Sequence, residues 1–403
     1  MQDICLLRSK ARIDRRRLPL ALAALLASAR NGFGQPEDFA SFVQSLWPQA
    51  QTAGVSRETF ETATSGLSPE PAVLEKPSAQ SEFTVSIPAY VAGAVTNARV
   101  AAGRTLRTDL SAHLRAAEQG SGVPAEIMLA ILGIESNYGS AAGGADVLRV
   151  LATLAFKGHM AEKLSAEFVA ALVMLQQGVP RRRLLGSWAG AMGMPQFMPS
   201  AYLKYAVSAS GGGAPDIWTS RADSLASIAN FLRQSGWDPS LPWAVEARAP
   251  NDYDFAELDQ DFSQFRAQGL VGARGEQLPA QGAASVYLPA GAKGPLFLIT
   301  QNFEVIRQYN TSDAYAMAVG LLADRIGGVQ APVVPWPKVA PLSTAEIKAL
   351  QQALTQRGFY QGPIDGKLGR KARNAIHAFQ RSVGIAPADG CASKALLAQL
   401  RDK

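Results

Sequence analysis

Apolar positions recur three and four residues apart over most of the first 234 residues, the period of a helix with one buried face. Phe39-Ala40-Ser41-Phe42-Val43-Gln44-Ser45-Leu46-Trp47 shows it, as do 91–117, 124–136, 160–177 and 220–234. Between Trp243 and Asn310 the texture changes. Val286-Tyr287-Leu288 and Leu296-Phe297-Leu298-Ile299 are short apolar runs bounded by Gly and Pro, which predicts strands. Residues 315–326 return to helix. The stretch 329–341 holds four prolines and predicts an extended, semi-rigid linker. The fold class expected is mainly α (α+β): a helical unit over 36–328 with a small β subdomain, then a small three-helix domain over 342–403.

The last module has its own stripes: Ile347, Leu350 and Leu354; Ala375, Ile376 and Phe379; Leu396, Leu397 and Leu400. Between them stand Gly362-Pro363-Ile364-Asp365-Gly366 and Pro387-Ala388-Asp389-Gly390, each with an Asp-Gly turn signal. Leu350-Gln351, Gly358-Phe359-Tyr360, Asp365-Gly366, Gly369, Phe379-Gln380 and Asp389-Gly390 make the module resemble the peptidoglycan-binding domain found at the ends of many cell-wall enzymes. It is expected to fold alone and to add wall affinity rather than chemistry.

The net charge of +6 over 403 residues would by itself suggest a nucleic-acid partner. Six basic and two acidic residues, however, precede Ala29, which leaves 33 basic and 31 acidic residues beyond it. No nucleic-acid partner is therefore expected. The early charges stand before the apolar run Leu18 to Ala27 and an Ala27-Ser28-Ala29 site, which reads as a cleaved signal peptide over 1–29. The run is too short to span a membrane. Export to the periplasm follows as the expectation, and Arg15-Arg16-Arg17-Leu18 is compatible with the twin-arginine route. Beyond the signal only Cys391 remains, so no internal disulfide is expected, and with three His a Cys/His zinc site is close to excluded.

The richest chemistry lies in Pro124-Ala125-Glu126-Ile127-Met128-Leu129-Ala130-Ile131-Leu132-Gly133-Ile134-Glu135-Ser136-Asn137-Tyr138-Gly139. Pro124 suits a helix start and Gly139 a stop. Ile127, Ile131 and Glu135 are four apart and share one stripe, so Glu135 ends an apolar face in the last helical turn. Burial and the negative helix end would both raise its pKa, the condition for a carboxylic acid that donates a proton near neutral pH. A solvent-facing Glu at a helix end fits the same spacing. A second cluster, Gly186-Ser187-Trp188-Ala189-Gly190-Ala191-Met192-Gly193-Met194-Pro195-Gln196-Phe197-Met198-Pro199-Ser200, is too rich in Gly and Pro for a plain helix. It carries no charge, which suits a neutral sugar chain.

Together these segments resemble the lytic murein transglycosylase B family. The matching motifs are Glu135-Ser136-Asn137-Tyr138-Gly139; Gly190-Ala191-Met192-Gly193 with Gln196-Phe197-Met198-Pro199-Ser200; and Asn302-Phe303, Tyr309-Asn310, Ser312 and Tyr315-Ala316-Met317. The resemblance implies a lysozyme-like catalytic core with Glu135 as acid/base. It further implies a substrate cleft that draws on Tyr138, Ser187, Gln196, Phe197, Tyr309, Asn310 and Tyr315. Two departures stand out. Phe156-Lys157-Gly158 is followed by His159-Met160 where family members often have an Arg pair, and Lys157 or His159 could partly substitute. The stretch aligned with the calcium loop of some members keeps only Asp216, with Asp223 further on, so no metal site is expected.

The implied reaction cleaves the bond between N-acetylmuramic acid and N-acetylglucosamine and leaves 1,6-anhydro ends, with no cofactor. Ordinary glycosidases use two carboxylates. The second and third motifs offer none at a matching position apart from Glu304, which sits at a variable point of its motif. A hydrolytic muramidase and a non-catalytic wall-binding scaffold remain the alternatives. Peptidoglycan strands are the expected partner, cell-wall synthesis proteins are candidate partners, and a monomer is expected.

Overall fold

The computed structural model describes residues 38–74, 85–158, 160–251, 253–255, 257–338 and 342–401. The expected signal peptide, His159 and the linker end 339–341 lie outside the described residues. The chain opens with α1 (Phe39–Ser45), α2 (Trp47–Thr52), α3 (Arg57–Thr64) and α4 (Pro71–Leu74). The apolar stripe over 39–47 is thus split at Leu46, where Pro48 opens the next helix.

The periodic segment 91–117 is likewise not one helix. It is shared among α5 (Ile87–Ala94), α6 (Asn97–Asp109) and α7 (Ser111–Ser121). The break has a local cause: the Thr96 side chain accepts from the Arg99 N–H and starts a new helix there.

Next comes α8 (Ala125–Ser136), buried from Ile127 through Gly133 on every face. It is followed by β1 (Ala145–Asp146), α9 (Val147–Phe156), α10 (Ala161–Gln176), β2 (Leu185–Gly186), α11 (Pro199–Tyr205) and α12 (Arg221–Gln234). The β subdomain contains β3 (Ala244–Arg248), β4 (Asp259–Asp261), α13 (Phe262–Ala267), β5 (Val271–Gly272), β6 (Ala283–Tyr287) and β7 (Leu296–Ile299). Its strands form one antiparallel sheet in the order β4-β6-β7-β3-β5. The chain then returns through α14 (Gln301–Tyr309) and α15 (Asp313–Gly327).

Two apolar cores meet in the helical unit. One surrounds α8 and α15 and takes in residues of α12. The other joins α1, α3, α9 and α10 to Met192 and Phe197 of the Gly-rich loop. Phe231 and Tyr309 pack against both, so their rings mark the seam. No helix among the described residues is long and apolar enough to cross a membrane.

The C-terminal module consists of α16 (Thr344–Gln356), α17 (Arg370–Ser382) and α18 (Lys394–Arg401) around its own core. A buried Gln clamps each Asp-Gly turn. Gln351 donates to Asp365 at 3.0 Å and accepts from the Gly366 N–H at 2.8 Å. Gln380 does the same with Asp389 and Gly390, both at 2.8 Å. Each buried amide thereby has both of its polar ends satisfied, and each turn is fixed to a helix.

The proline-rich segment is fastened along part of its length. The Glu246 carboxylate accepts from the Val333 N–H at 2.7 Å, Arg274 donates to the Ala331 carbonyl at 2.8 Å, and Trp336 stacks on Phe297. Beyond it α17 lies against the β subdomain, where Arg370 pairs with Asp259 at 2.8 Å and Arg381 with Asp254 at 2.7 Å.

Candidate active site

The site is built around the end of α8. Asn137 and Tyr138 both adopt left-handed backbone conformations, with φ of 48° and 60°, which few non-glycine residues do. Their N–H groups bond back to the Gly133 and Leu132 carbonyls at 3.1 Å each. The helix is closed within one turn of Glu135, and the chain doubles back. The Ser136 hydroxyl accepts from the Gly139 N–H at 3.0 Å and holds the turn.

This turn sends Tyr138 inward, which corrects its expected place in the cleft. Its side chain is buried, and its hydroxyl donates to the Arg99 carbonyl at 2.7 Å. Gly133 and Gly103 make the space. A Cβ on Gly133 would lie 2.6 Å from Tyr138 Cζ, and one on Gly103 2.6 Å from Tyr138 Oη. Tyr138 braces the end of α8 against α6.

Glu135, on the adjoining face, is half-buried. The Tyr315 hydroxyl donates to its Oε1 at 2.6 Å. Tyr315 stands near the start of α15, and its backbone N–H is capped by Ser312. Burial first, and the Glu135 charge second, push its phenol well above the ordinary tyrosine pKa, so it stays a donor. Tyr90 of α5 also adds to that shift; no sequence motif pointed to it, and its place on a short apolar helix gave no chemical signal.

Tyr309 lies almost parallel to Tyr315, with ring centroids 6.3 Å apart and planes 12° apart. Its hydroxyl donates to the Pro195 carbonyl at 2.7 Å, which ties the end of α14 to the Gly-rich loop. Phe197 packs at a tilt behind Tyr309, with centroids 5.8 Å apart, but it is only 2% exposed. It supports the wall and does not face the cleft. Asn310 caps α14 with extended backbone, and its side-chain amide makes no hydrogen bond within the described residues.

The Gly-rich loop folds back on itself through paired contacts of Met192 with Gly186 and Phe197. Gln196 has φ of 52°, and its amide donates to the carbonyls of Ala142 at 3.0 Å and Gly193 at 2.8 Å. It therefore joins this loop to the turn after Glu135. Ser187 Oγ accepts from the N–H groups of Ala189 and Ala191, at 3.3 and 3.2 Å. The structure thus links Glu135, Tyr315, Tyr309 and Gln196 in a chain of contacts that returns to the segment after Glu135. Ser187 and Phe197 shape its wall, and Tyr138 stands behind it.

The other acidic candidates are engaged elsewhere. Glu304 pairs with Arg307 at 2.6 Å. Asp223 accepts the N–H groups of Ala209 and Asp216, at 3.1 and 2.8 Å. Asp216 accepts from Trp218 and Thr219 and meets Arg183 at 3.3 Å. These carboxylates are bound by donors, so the aligned loop does not fit the oxygen cage a calcium ion needs. Lys157 donates to the Val73 carbonyl at 3.3 Å.

The fold is that of a lysozyme-like protein, and its central helix ends in the half-buried Glu135. The profile of the transglycosylase SLT domain matches residues 38–324, and that of a peptidoglycan binding domain matches residues 343–400. The chain belongs to the transglycosylase SLT domain family.

Among solved structures it is similar to SltB3 from Pseudomonas aeruginosa in complex with NAG-anhNAM-pentapeptide. That likeness has 41% identity and a TM-score of 0.83, and covers 91% of this chain and 100% of the other. It is also similar to the Escherichia coli lytic transglycosylase Slt35 in complex with calcium, at 31% identity and a TM-score of 0.59, over 71% of this chain and 92% of that one. The membrane-bound lytic murein transglycosylase B of Escherichia coli (strain K12) is 37% identical over 221 residues. That match takes in 53% of this chain and 60% of the curated relative, so less than two thirds of its length is spanned.

Proposed function

We propose that the protein is a peptidoglycan lytic transglycosylase. It would cut the bond between N-acetylmuramic acid and N-acetylglucosamine and form 1,6-anhydro-N-acetylmuramic acid ends. The observation that carries this reading is the Tyr315 hydroxyl on Glu135, with Glu304 drawn onto Arg307. One acid is offered to the substrate where a hydrolase would ordinarily offer two.

Protonated Glu135 gives its proton to the glycosidic oxygen as the C1–O bond breaks. The carboxylate so formed keeps the Tyr315 hydrogen bond. It then accepts the proton of the sugar's own C6 hydroxyl as that oxygen bonds to C1. Glu135 ends as it began, and no water is consumed. Because the nucleophile is tethered to the electrophile, proximity replaces a bound water and its base. Asn310, Gln196 and the ring of Tyr309 would line the glycan path, with Tyr315 buried behind Glu135 and Ser187 holding its loop.

The complex of SltB3 with NAG-anhNAM-pentapeptide supports the same product class for this chain. The C-terminal module would hold peptidoglycan through its own surface. Residues 1–29 would export a monomer to the periplasm, with amino-terminal sequencing expected to find a start near Arg30.

Mass spectrometry of digested peptidoglycan tests the reading. Anhydro ends, each lighter than a reducing end by one water, are expected. Reducing ends would instead show a muramidase. Binding without any release of fragments would show a scaffold.

A further inference from the structure

Asp313 is the first residue of α15, two before Tyr315, and it is only 8% exposed. Its carboxylate is held from both sides. Arg307 of α14 approaches Oδ1 at 2.9 Å, and Arg373 of α17, in the C-terminal module, donates to Oδ2. Tyr287 adds its hydroxyl to Oδ2 at 3.3 Å, and the Arg373 guanidinium lies 4.4 Å from the centre of the same ring.

Glu304, Arg307, Asp313 and Arg373 form a cluster with two negative and two positive charges. Without Arg373, one guanidinium would serve two carboxylates in a site largely removed from water. Such an uncompensated buried charge forces its surroundings to rearrange.

What would move is the segment between α14 and α15. A cavity of about 700 Å³ lies between the module and the catalytic unit, lined among others by Ile87, Thr311, Tyr360 and Lys367. Thr311 is exposed beside this cavity while Ser312 and Asp313 are buried, so the polar contacts of Asp313 add to packing in holding the segment. It begins at Tyr309 and leads directly into Tyr315, the two rings beside Glu135.

We propose that Arg373 is a positioning residue for the catalytic acid: by holding Asp313 it fixes residues 309–313 and the first turn of α15, and so sets Tyr315 against Glu135. The C-terminal module then does more than raise wall affinity. This inference rests on Glu135 being the catalytic acid.

The test uses the full chain and short soluble glycan fragments, with binding to sacculi measured alongside. Arg373→Met is expected to lower kcat about tenfold per folded molecule, in line with the sensitivity of catalysis to small displacements, at unchanged KM and with a lowered melting temperature. Arg373→Lys should restore part of the rate, since it keeps the charge but not the planar fork. The double variant Arg370→Ala, Arg381→Ala removes the two exposed pairs that also dock α17 and should leave kcat unchanged.

Equal kcat for wild type and Arg373→Met would overturn the inference. So would a loss confined to sacculus binding, or an equal loss in the double variant. If Arg373→Met does not fold, Arg373→Lys decides: half the wild-type kcat or less supports the inference, and wild-type kcat overturns it. Absence of anhydro ends from the wild type itself would instead overturn the functional reading, and this inference with it.

Discussion

The Tyr315 hydroxyl sits 2.6 Å from Glu135 Oε1, and the two residues are brought together from helices 180 positions apart in sequence. A buried neutral phenol is a fixed dipole aimed at the point where, on the proposed mechanism, charge would develop once Glu135 gives up its proton. Such preorganised donors need no rearrangement during the reaction.

Removing that donor should therefore slow the chemistry without changing it. Tyr315→Phe keeps the ring stacked on Tyr309 and is expected to lower kcat about tenfold to a hundredfold, with KM little changed and anhydro ends still the product. Steady-state kinetics on soluble fragments, with product masses recorded, checks both parts. An unchanged kcat would remove Tyr315 from the machinery.

Tyr138 should behave differently. Tyr138→Phe leaves the Arg99 carbonyl without its partner in a partly buried place, which costs about 1–2 kcal/mol. The melting temperature should fall while kcat per folded molecule stays near wild type. A raised KM at unchanged stability would return Tyr138 to the cleft.

Asp324 of α15 makes a pH-dependent prediction. Burial raises its pKa from 3.8 to about 6, against the pull of the Trp243 indole, which donates to its Oδ1 at 3.1 Å. Between those two values the folded protein holds a proton that the unfolded chain has released. This group's contribution to stability is therefore complete below about pH 4, declines as the pH rises to about 6, and is flat above. The loss is at most about 3 kcal/mol, and less because the residue keeps part of its surface in water. Asp324→Asn should melt higher than wild type at neutral pH and no higher at pH 4, as a pair of thermal titrations would show.

Much of this site is legible in the order of its residues. The stripe Ile127, Ile131, Glu135 between Pro124 and Gly139 places the acid at the end of a helix, and the helix is there over Ala125–Ser136. The Pro124 start and the Gly139 stop carry that inference, since α8 is buried on every face from Ile127 to Gly133 and the stripe is only part of its apolar run. Tyr138 is misplaced by its motif for a related reason. Motif membership says nothing about direction, and two consecutive left-handed residues turn the side chain under Gly133. Strands such as β4 and β5 leave no signal because they are short and carry no alternating apolar pattern. The Arg373–Asp313 pair joins residues 60 apart across a linker, and local pattern holds no trace of such a contact.

The most direct measurement is release of anhydro-muropeptides by wild type and by Glu135→Gln, with circular dichroism as the fold control. Gln is nearly isosteric, so packing on Ile131 and the contact with Tyr315 should survive while the proton is lost. On the proposed mechanism one group serves as acid and then as base, so turnover should fall about ten-thousandfold or more, the upper end for general acid–base catalysis. Sacculus binding should persist through the C-terminal module. A folded Glu135→Gln protein that still releases anhydro ends at a substantial rate would contradict the assignment of this residue and the single-carboxylate mechanism with it.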